Sequence, residues 1–197
     1  MKRPLFTDRR RLLRGGAWLL CGSLPAWSWA QTAVVPAALP AEVRTELPTA
    51  RLQGAGRLSF LGLRIYDSKL WVDPAFTAEN FERHPLALEL VYARSLDGKQ
   101  IAERSLTEMK RAGPLDDTRA AAWLADMGAT FPDVSANDRI TGAYQPGGSL
   151  RFFLNGKLLR EFRDAEFARR FIGIWLSPKT SEPALRQSLL GLKQAGG

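Results

Sequence analysis

Residues 54–72, GAGRLSFLGLRIYDSKLWV, are the longest run of β-type residues in the chain, and their apolar positions do not keep one phase. Leu58 and Phe60 alternate; Leu63 and Ile65 then alternate on the opposite parity. A single strand with that pattern would turn its core face to water. A hairpin removes the conflict if the chain reverses at Leu61-Gly62, because glycine adopts the positive φ that a tight hairpin turn needs. The expected register pairs Leu58 with Ile65 and Phe60 with Leu63 on one apolar face. It sets Arg57 opposite Tyr66 on the other face, with Ser59 and Arg64 beside them. A guanidinium next to a phenol is the first candidate site.

Downstream of the hairpin the periodicity alternates between strand and helix. Residues 70–72 continue the second strand until Asp73-Pro74 stops it. Residues 86–93, LALELVYA, read as a strand in which Leu88, Leu90 and Tyr92 alternate with Glu89 and Val91. Residues 98–110 place Ile101, Ser105 or Leu106, and Met109 at helical spacing, and Gly113-Pro114 ends that helix. A second helix spans 117–128 behind an aspartate cap. Strands return at 138–144, 150–154 and 158–162, the last two joined by Asn155-Gly156, a strong hairpin signal. Residues 165–176 form an amphipathic helix with Phe167, Phe171, Ile174 and Trp175 on one side, and 182–190 form a terminal helix. Strands, helices, strands, helices in that order imply an α+β domain: an antiparallel sheet covered on one side by helices.

Upstream, residues 1–14 are basic, 15–27 are moderately apolar, and Ser28-Trp29-Ala30 puts small residues where a signal peptidase reads. This is the pattern of an export signal cleaved after Ala30. Arg9-Arg10-Arg11 fits the twin-arginine route, although Asp8 stands where Ser or Thr is usual; an ordinary basic Sec signal is the alternative. The apolar run is shorter than the roughly 20 residues of a membrane span. The expected division is therefore 1–30 signal, 31–49 an Ala/Pro-rich extended lead-in with order expected only near Val43–Leu47, and 50–192 one domain. The expected location is periplasmic or secreted.

Removing the signal changes the charge reading. The whole chain has 28 Lys and Arg against 20 Asp and Glu; without residues 1–30 it keeps 22 against 19. So small an excess argues little for nucleic acid or a membrane surface as partner. The sole cysteine, Cys21, leaves with the signal, and with it any thiolate chemistry or Cys-based metal site. The chain holds no phosphate-cradling glycine loop, no Gly-x-Ser-x-Gly elbow and no His-Glu-x-x-His. One histidine, His84, sits beside Pro85 and reads as a surface residue; no cofactor or metal is expected. What remains is Arg57, Arg64, Tyr66 and Arg104. They read either as surface residues or as the polar end of a pocket enclosed between a sheet and its helices. Arginine suits a carboxylate or enolate through paired, charge-assisted hydrogen bonds.

At these residues a family resemblance emerges. GAGRLSFLGLRIYDSKLWV resembles the paired opening strands of the chalcone isomerase family, with its GxGxR-type start. The likeness continues through residues 98–111, through FFLNGK, and through FIGIWLSPKTSEPALRQSLL, and it looks closest to the bacterial exported branch. The resemblance implies an open-faced β-sandwich, a large antiparallel sheet with a helical layer enclosing the pocket. It implies that Arg57 stands for the family's first-strand arginine, though the family pattern has one more residue before it. Tyr66 stands where fatty-acid-binding members use a tyrosine with that arginine to hold the lipid carboxylate. Matching Gly98-Lys99-Gln100 to the family's Gly-Gln-Gln puts Ile101 at the catalytic tyrosine and Glu108 at the asparagine. Isoleucine cannot hydrogen-bond a substrate ketone, so flavonoid cyclisation is not expected. The expected site is thus a ligand pocket built from Arg57, Tyr66, Arg64, Ile101, Arg104 and Glu108. The expected function is a non-catalytic binder of a small apolar acid such as a fatty acid. The alternatives are an intramolecular lyase or isomerase acting on a phenolic or enone substrate, and an accessory protein with a vestigial pocket.

Overall fold

The computed structural model describes residues 38–192; the segment expected to be an export signal and most of the expected lead-in lie outside the described residues. Strands β1 (Arg51–Phe60), β2 (Leu63–Val72), β3 (Leu86–Tyr92), β4 (Arg139–Gln145), β5 (Ser149–Leu154) and β6 (Lys157–Phe162) pair in sequence order. Every pairing is antiparallel, so the sheet is a six-stranded meander. Helix α1 (Ala41–Glu46) precedes it. Helices α2 (Gly98–Met109) and α3 (Asp117–Gly128) fall between β3 and β4, and α4 (Ala165–Leu176) and α5 (Pro183–Leu190) follow β6. Aspartates start three of the helices. Asp97 accepts from Gln100 N, Asp116 from Arg119 N, and Asp164 from both Glu166 N and Phe167 N, satisfying amides that a helix start leaves unpaired.

The alternating residues of the strands supply the core. Leu70, Val72, Leu86, Leu88, Leu90, Leu150 and Phe152 are buried against the aromatic face of α4, where Phe162 stacks on Phe167 at 4.3 Å. Helix α5 lies directly on β1, and the two glycines of Gly54-Ala55-Gly56 allow it. A Cβ on Gly54 would stand 2.2 Å from Ser188 O, and one on Gly56 would stand 2.5 Å from a methyl of Leu185. The Gly-x-Gly start is therefore a landing place for a helix.

The opening hairpin reverses at Leu61-Gly62, with φ of 50° and 77°, and Phe60 pairs with Leu63. Beyond that pair the register departs from the expected one. Ser59 pairs with Arg64 but Leu58 pairs with Tyr66, leaving Ile65 as the extra residue of a β-bulge. The bulge shifts the parity of everything after it. Tyr66 joins Leu58 on the helix-covered face, and Arg57 faces Asp67 on the other. The phase conflict in the sequence is resolved partly by the turn and partly by the bulge.

The other face of the sheet also carries structure. The lead-in, expected to be extended with order only near Val43–Leu47, contains α1 at that stretch; Val43, with Leu47 just after the helix, packs on Trp71, Ala87, Ala143 and Phe153. Glu42, 5% exposed, takes Arg139 through two hydrogen bonds of 3.0 and 3.1 Å and the Thr141 hydroxyl at 2.9 Å. Bidentate guanidinium contact and a third donor are what a buried carboxylate requires. None of the described helices is long and apolar enough to cross a membrane.

Candidate functional site

Between the sheet and the helices lies a cavity of about 350 Å³, inside the range of ligand-binding clefts. Strand residues Leu58, Leu88, Leu90 and Ile140 wall it on one side, and α4 closes it with Phe171 and Ile172. The floor is aromatic: Phe152 meets Phe131 at 5.0 Å and Phe171 at 4.8 Å, both edge to face. Polar side chains line it from Tyr66, from α2, and from the segment leading into α5.

Tyr66 sits in register with Tyr92 on the neighbouring strand, their rings edge to face at 6.0 Å. The Tyr66 hydroxyl accepts a 2.9 Å hydrogen bond from the Trp175 indole of α4. Accepting that bond leaves the phenol's own proton free to be donated into the cavity. Burial pushes the Tyr66 phenol up to about 12; the Trp175 bond and the Arg104 charge pull it down, while Glu182 and Glu108 push further. Burial, then the neighbouring Tyr66, raises Tyr92 as well. Both are neutral phenols at physiological pH.

Helix α2 contributes a stripe at helical spacing: Ile101, Arg104 and Ser105, then Glu108. Arg104 is 68% exposed at its side chain and reaches Glu108 Oε1 at 2.7 Å. Glu108 is 8% exposed, and its Oε2 has no hydrogen-bond donor among the described residues. Arg111 Nε stands 3.6 Å from that oxygen but gives its hydrogen to Lys179 O at 3.1 Å.

Four of the six residues expected at the site therefore line the cavity: Tyr66, Ile101, Arg104 and Glu108. Arg57 and Arg64 do not. Both donate to Asp67 on the opposite face of the sheet, Arg57 Nε at 2.7 Å and Arg64 Nε at 3.2 Å from the same carboxylate oxygen. The pair expected on one face, Arg57 with Tyr66, is split across the sheet by the Ile65 bulge. The Arg57 hydrogen bond and charge hold the Asp67 carboxyl below its ordinary range. Sequence reading missed Trp175 and Tyr92 as cavity residues because it took both for core. The β2–β3 alternation, extended across the pair, puts Tyr92 beside Tyr66 and could have found it. His84 lies away from the cavity, its ring against Phe76 and Nε2 3.4 Å from the Thr77 hydroxyl.

This arrangement can shelter an apolar body and hold a polar head with donors from Tyr66 and Arg104 and an acceptor on Glu108. Among the described residues, no three His, Cys, Asp or Glu side chains stand together as a metal would require.

Comparison with known proteins places this geometry in a lineage. A family model described as chalcone isomerase-like matches residues 31–191. An uncharacterized protein of Haemophilus influenzae is 35% identical over 127 residues, which are 64% of this chain and 61% of that protein. The chain thus spans about three fifths of the length of that relative. Among solved structures, the Arabidopsis thaliana fatty-acid binding protein AtFAP1 superposes with a TM-score of 0.56 at 15% identity, covering 72% of this chain and 87% of the other. At that identity the likeness is one of fold.

Proposed function

The chain belongs to the chalcone isomerase-like family, and on that premise we propose that it holds a small, mostly apolar molecule between sheet and helices without transforming it. The observation that carries this reading is the cavity itself, apolar along its walls and polar where Tyr66, Arg104 and Glu108 meet it. Pockets of this size and lining are suited to one amphiphilic ligand, with the apolar body supplying affinity and a few polar groups fixing orientation. A fatty-acid-like molecule fits that description. Its head belongs at Tyr66 and Arg104, since Arg57 faces the other way. Two features favour holding over catalysis. Ile101 offers the cavity no polar atom, and buried neutral phenols make poor nucleophiles at physiological pH. The amino-terminal pattern supports export, so the proposal places this binding in the periplasm or outside the cell.

The test is displacement of a neutral fluorescent probe, N-phenyl-1-naphthylamine, from the protein lacking residues 1–30, by dodecanoic acid and by dodecanol. The proposal expects saturable probe binding, competition by both chains, and loss of most probe binding in Ile101→Trp, which fills the cavity. Failure of the wild-type protein to bind probe or either chain would reject it. Turnover of an enone or chalcone by the same preparation would favour an isomerase instead.

A further inference from the structure

Two hairpins of the sheet turn with the same backbone geometry and different chemistry. Between β5 and β6 the turn is Asn155-Gly156, with φ of 51° and 89°, the residue pair that two positive φ values favour. Between β1 and β2 it is Leu61-Gly62, with φ of 50° and 77°. Leucine is out of place there twice over. A bulky side chain is disfavoured at positive φ, and this one stands 85% exposed to solvent. Its neighbours repeat the second anomaly, Phe60 at 66% and Leu63 at 54%. Three of the six large apolar side chains exposed among the described residues thus fall within residues 60–63. Apolar surface so concentrated marks a place that meets a partner.

The position of the tip identifies the partner. Phe60 lies two residues on from Leu58 along the face that the helices cover, and Leu63 pairs with it. Phe60 lines the cavity although most of it is in water, so the tip stands at the cavity mouth, where exposed Gln100 and Arg104 of α2 line it too. The strands behind the tip are positively charged. Arg57 and Arg64 share one carboxylate, Asp67, which leaves one charge over. Arg94 is exposed and in no ion pair with the described residues; it follows Ala93, whose N–H donates to Ile65 O at 2.9 Å, and so stands beside the hairpin. On the helix side of the mouth Arg104 is matched by Glu108, and Glu182 adds an acid, so the positive side is that of the hairpin. An apolar tip backed by arginines fits the boundary of an anionic bilayer, with acyl chains for the apolar side chains and phosphates for the guanidiniums. It does not fit a second copy of the chain. Three side chains offer a few hundred Å², well short of the about 800 Å² per partner of a stable interface.

We propose that the tip formed by Phe60, Leu61 and Leu63 inserts into the surface of a lipid bilayer with anionic headgroups and holds the cavity mouth against it. An apolar ligand then passes between bilayer and cavity without crossing water. Docking is independent of the reading of the cavity as a ligand site, and either can fail while the other stands.

The experiment is sedimentation of the protein lacking residues 1–30 with vesicles of phosphatidylglycerol and phosphatidylethanolamine, beside vesicles of phosphatidylcholine alone. The wild type is expected to favour the anionic vesicles, and about 0.5 M salt is expected to remove that preference. Leu61→Asn combined with Leu63→Thr should lower the bound fraction's partition coefficient by about tenfold or more, and Arg94→Glu should weaken binding to the anionic vesicles alone. None of these three residues lines the cavity, so probe binding measured without vesicles should hold. Asparagine suits the left-handed position, so Leu61→Asn alone should leave the urea midpoint unchanged or raise it. In Leu61→Trp the added indole should shift its emission to the blue when anionic vesicles are supplied, which marks the tip as the part that enters. No binding of the wild type to anionic vesicles, equal binding by the double variant, or an unshifted emission overturns the proposal. So does a wild-type dimer in ultracentrifugation that the double variant dissolves, since the tip then belongs to a second copy. Should the double variant not fold, the emission of Leu61→Trp decides the matter.

Discussion

Tyr66 is the residue on which the sheet, the helices and the pocket converge. Its ring packs on Tyr92, its oxygen is fixed by Trp175, and its proton is left over for a ligand. All three tyrosines of the chain, Tyr66, Tyr92 and Tyr144, are raised above their ordinary pKa, first by burial. For a phenol whose folded pKa is raised, the stabilisation is complete below the unfolded value of about 10 and is lost as pH climbs through the folded value. The folded protein should therefore show much less phenolate absorbance at 295 nm near pH 10 than the unfolded chain, and its midpoint in urea should fall steadily between pH 10 and pH 12. A normal tyrosine titration with unchanged stability would count against the buried pair. At this scale the sequence was legible in part. Arg57 and Tyr66 were visible as the chemically notable residues of the hairpin, but their separation was not. A one-residue bulge costs the sequence no visible signal, and it reverses which face every later side chain occupies.

At the scale of elements, two contacts hold helices against the two faces of the sheet. The first is α5 on β1, which needs glycine at 54 and 56 because the helix backbone comes so close. Gly54→Ala places a methyl against two carbonyl oxygens, at 2.2 and 2.5 Å, so the helix must move. Overpacking of this kind costs about 1–3 kcal/mol, which a urea midpoint will register, and a shifted α5 should weaken ligand binding as well. A Gly54→Ala protein with unaltered stability would mean that the helix does not lie there. The second contact is α1 on the far side of the sheet. Glu42→Ala leaves Arg139, half-buried, and the Thr141 hydroxyl without their acceptor. A loss of about 1–3 kcal/mol is expected, with ligand affinity little changed, since the cavity lies on the other face. Helix α1 was not legible as a helix, because a six-residue element in an Ala/Pro-rich stretch owes its form to packing rather than propensity. The Gly-x-Gly start was legible as a special place but not for its reason. That reason lies in a helix more than a hundred residues later in the chain.

Across the whole molecule the sequence pattern carried most of the fold. Alternation in residues 86–92, the Asn155-Gly156 turn and the amphipathic 165–176 each agree with their observed elements, because there local propensity and burial point the same way. A meander of neighbouring strands asks for no long crossover, so once the strands are read their order follows. The cavity was legible only as a consequence of architecture, a sheet face roofed by helices. Its contents depended on side chains from β2, β3, α2 and α4 whose meeting no local pattern announces. The central claim is that this cavity is occupied in life by an apolar molecule with a polar head near Tyr66 and Glu108. The most direct measurement is native mass spectrometry of the protein recovered from the cells that make it, beside its Ile101→Trp variant. The account predicts an added mass on the wild type that is released on unfolding, identified as an apolar molecule carrying a polar head, and absent from the variant. A wild-type protein that carries no such mass, or a variant that carries the same one, would contradict it.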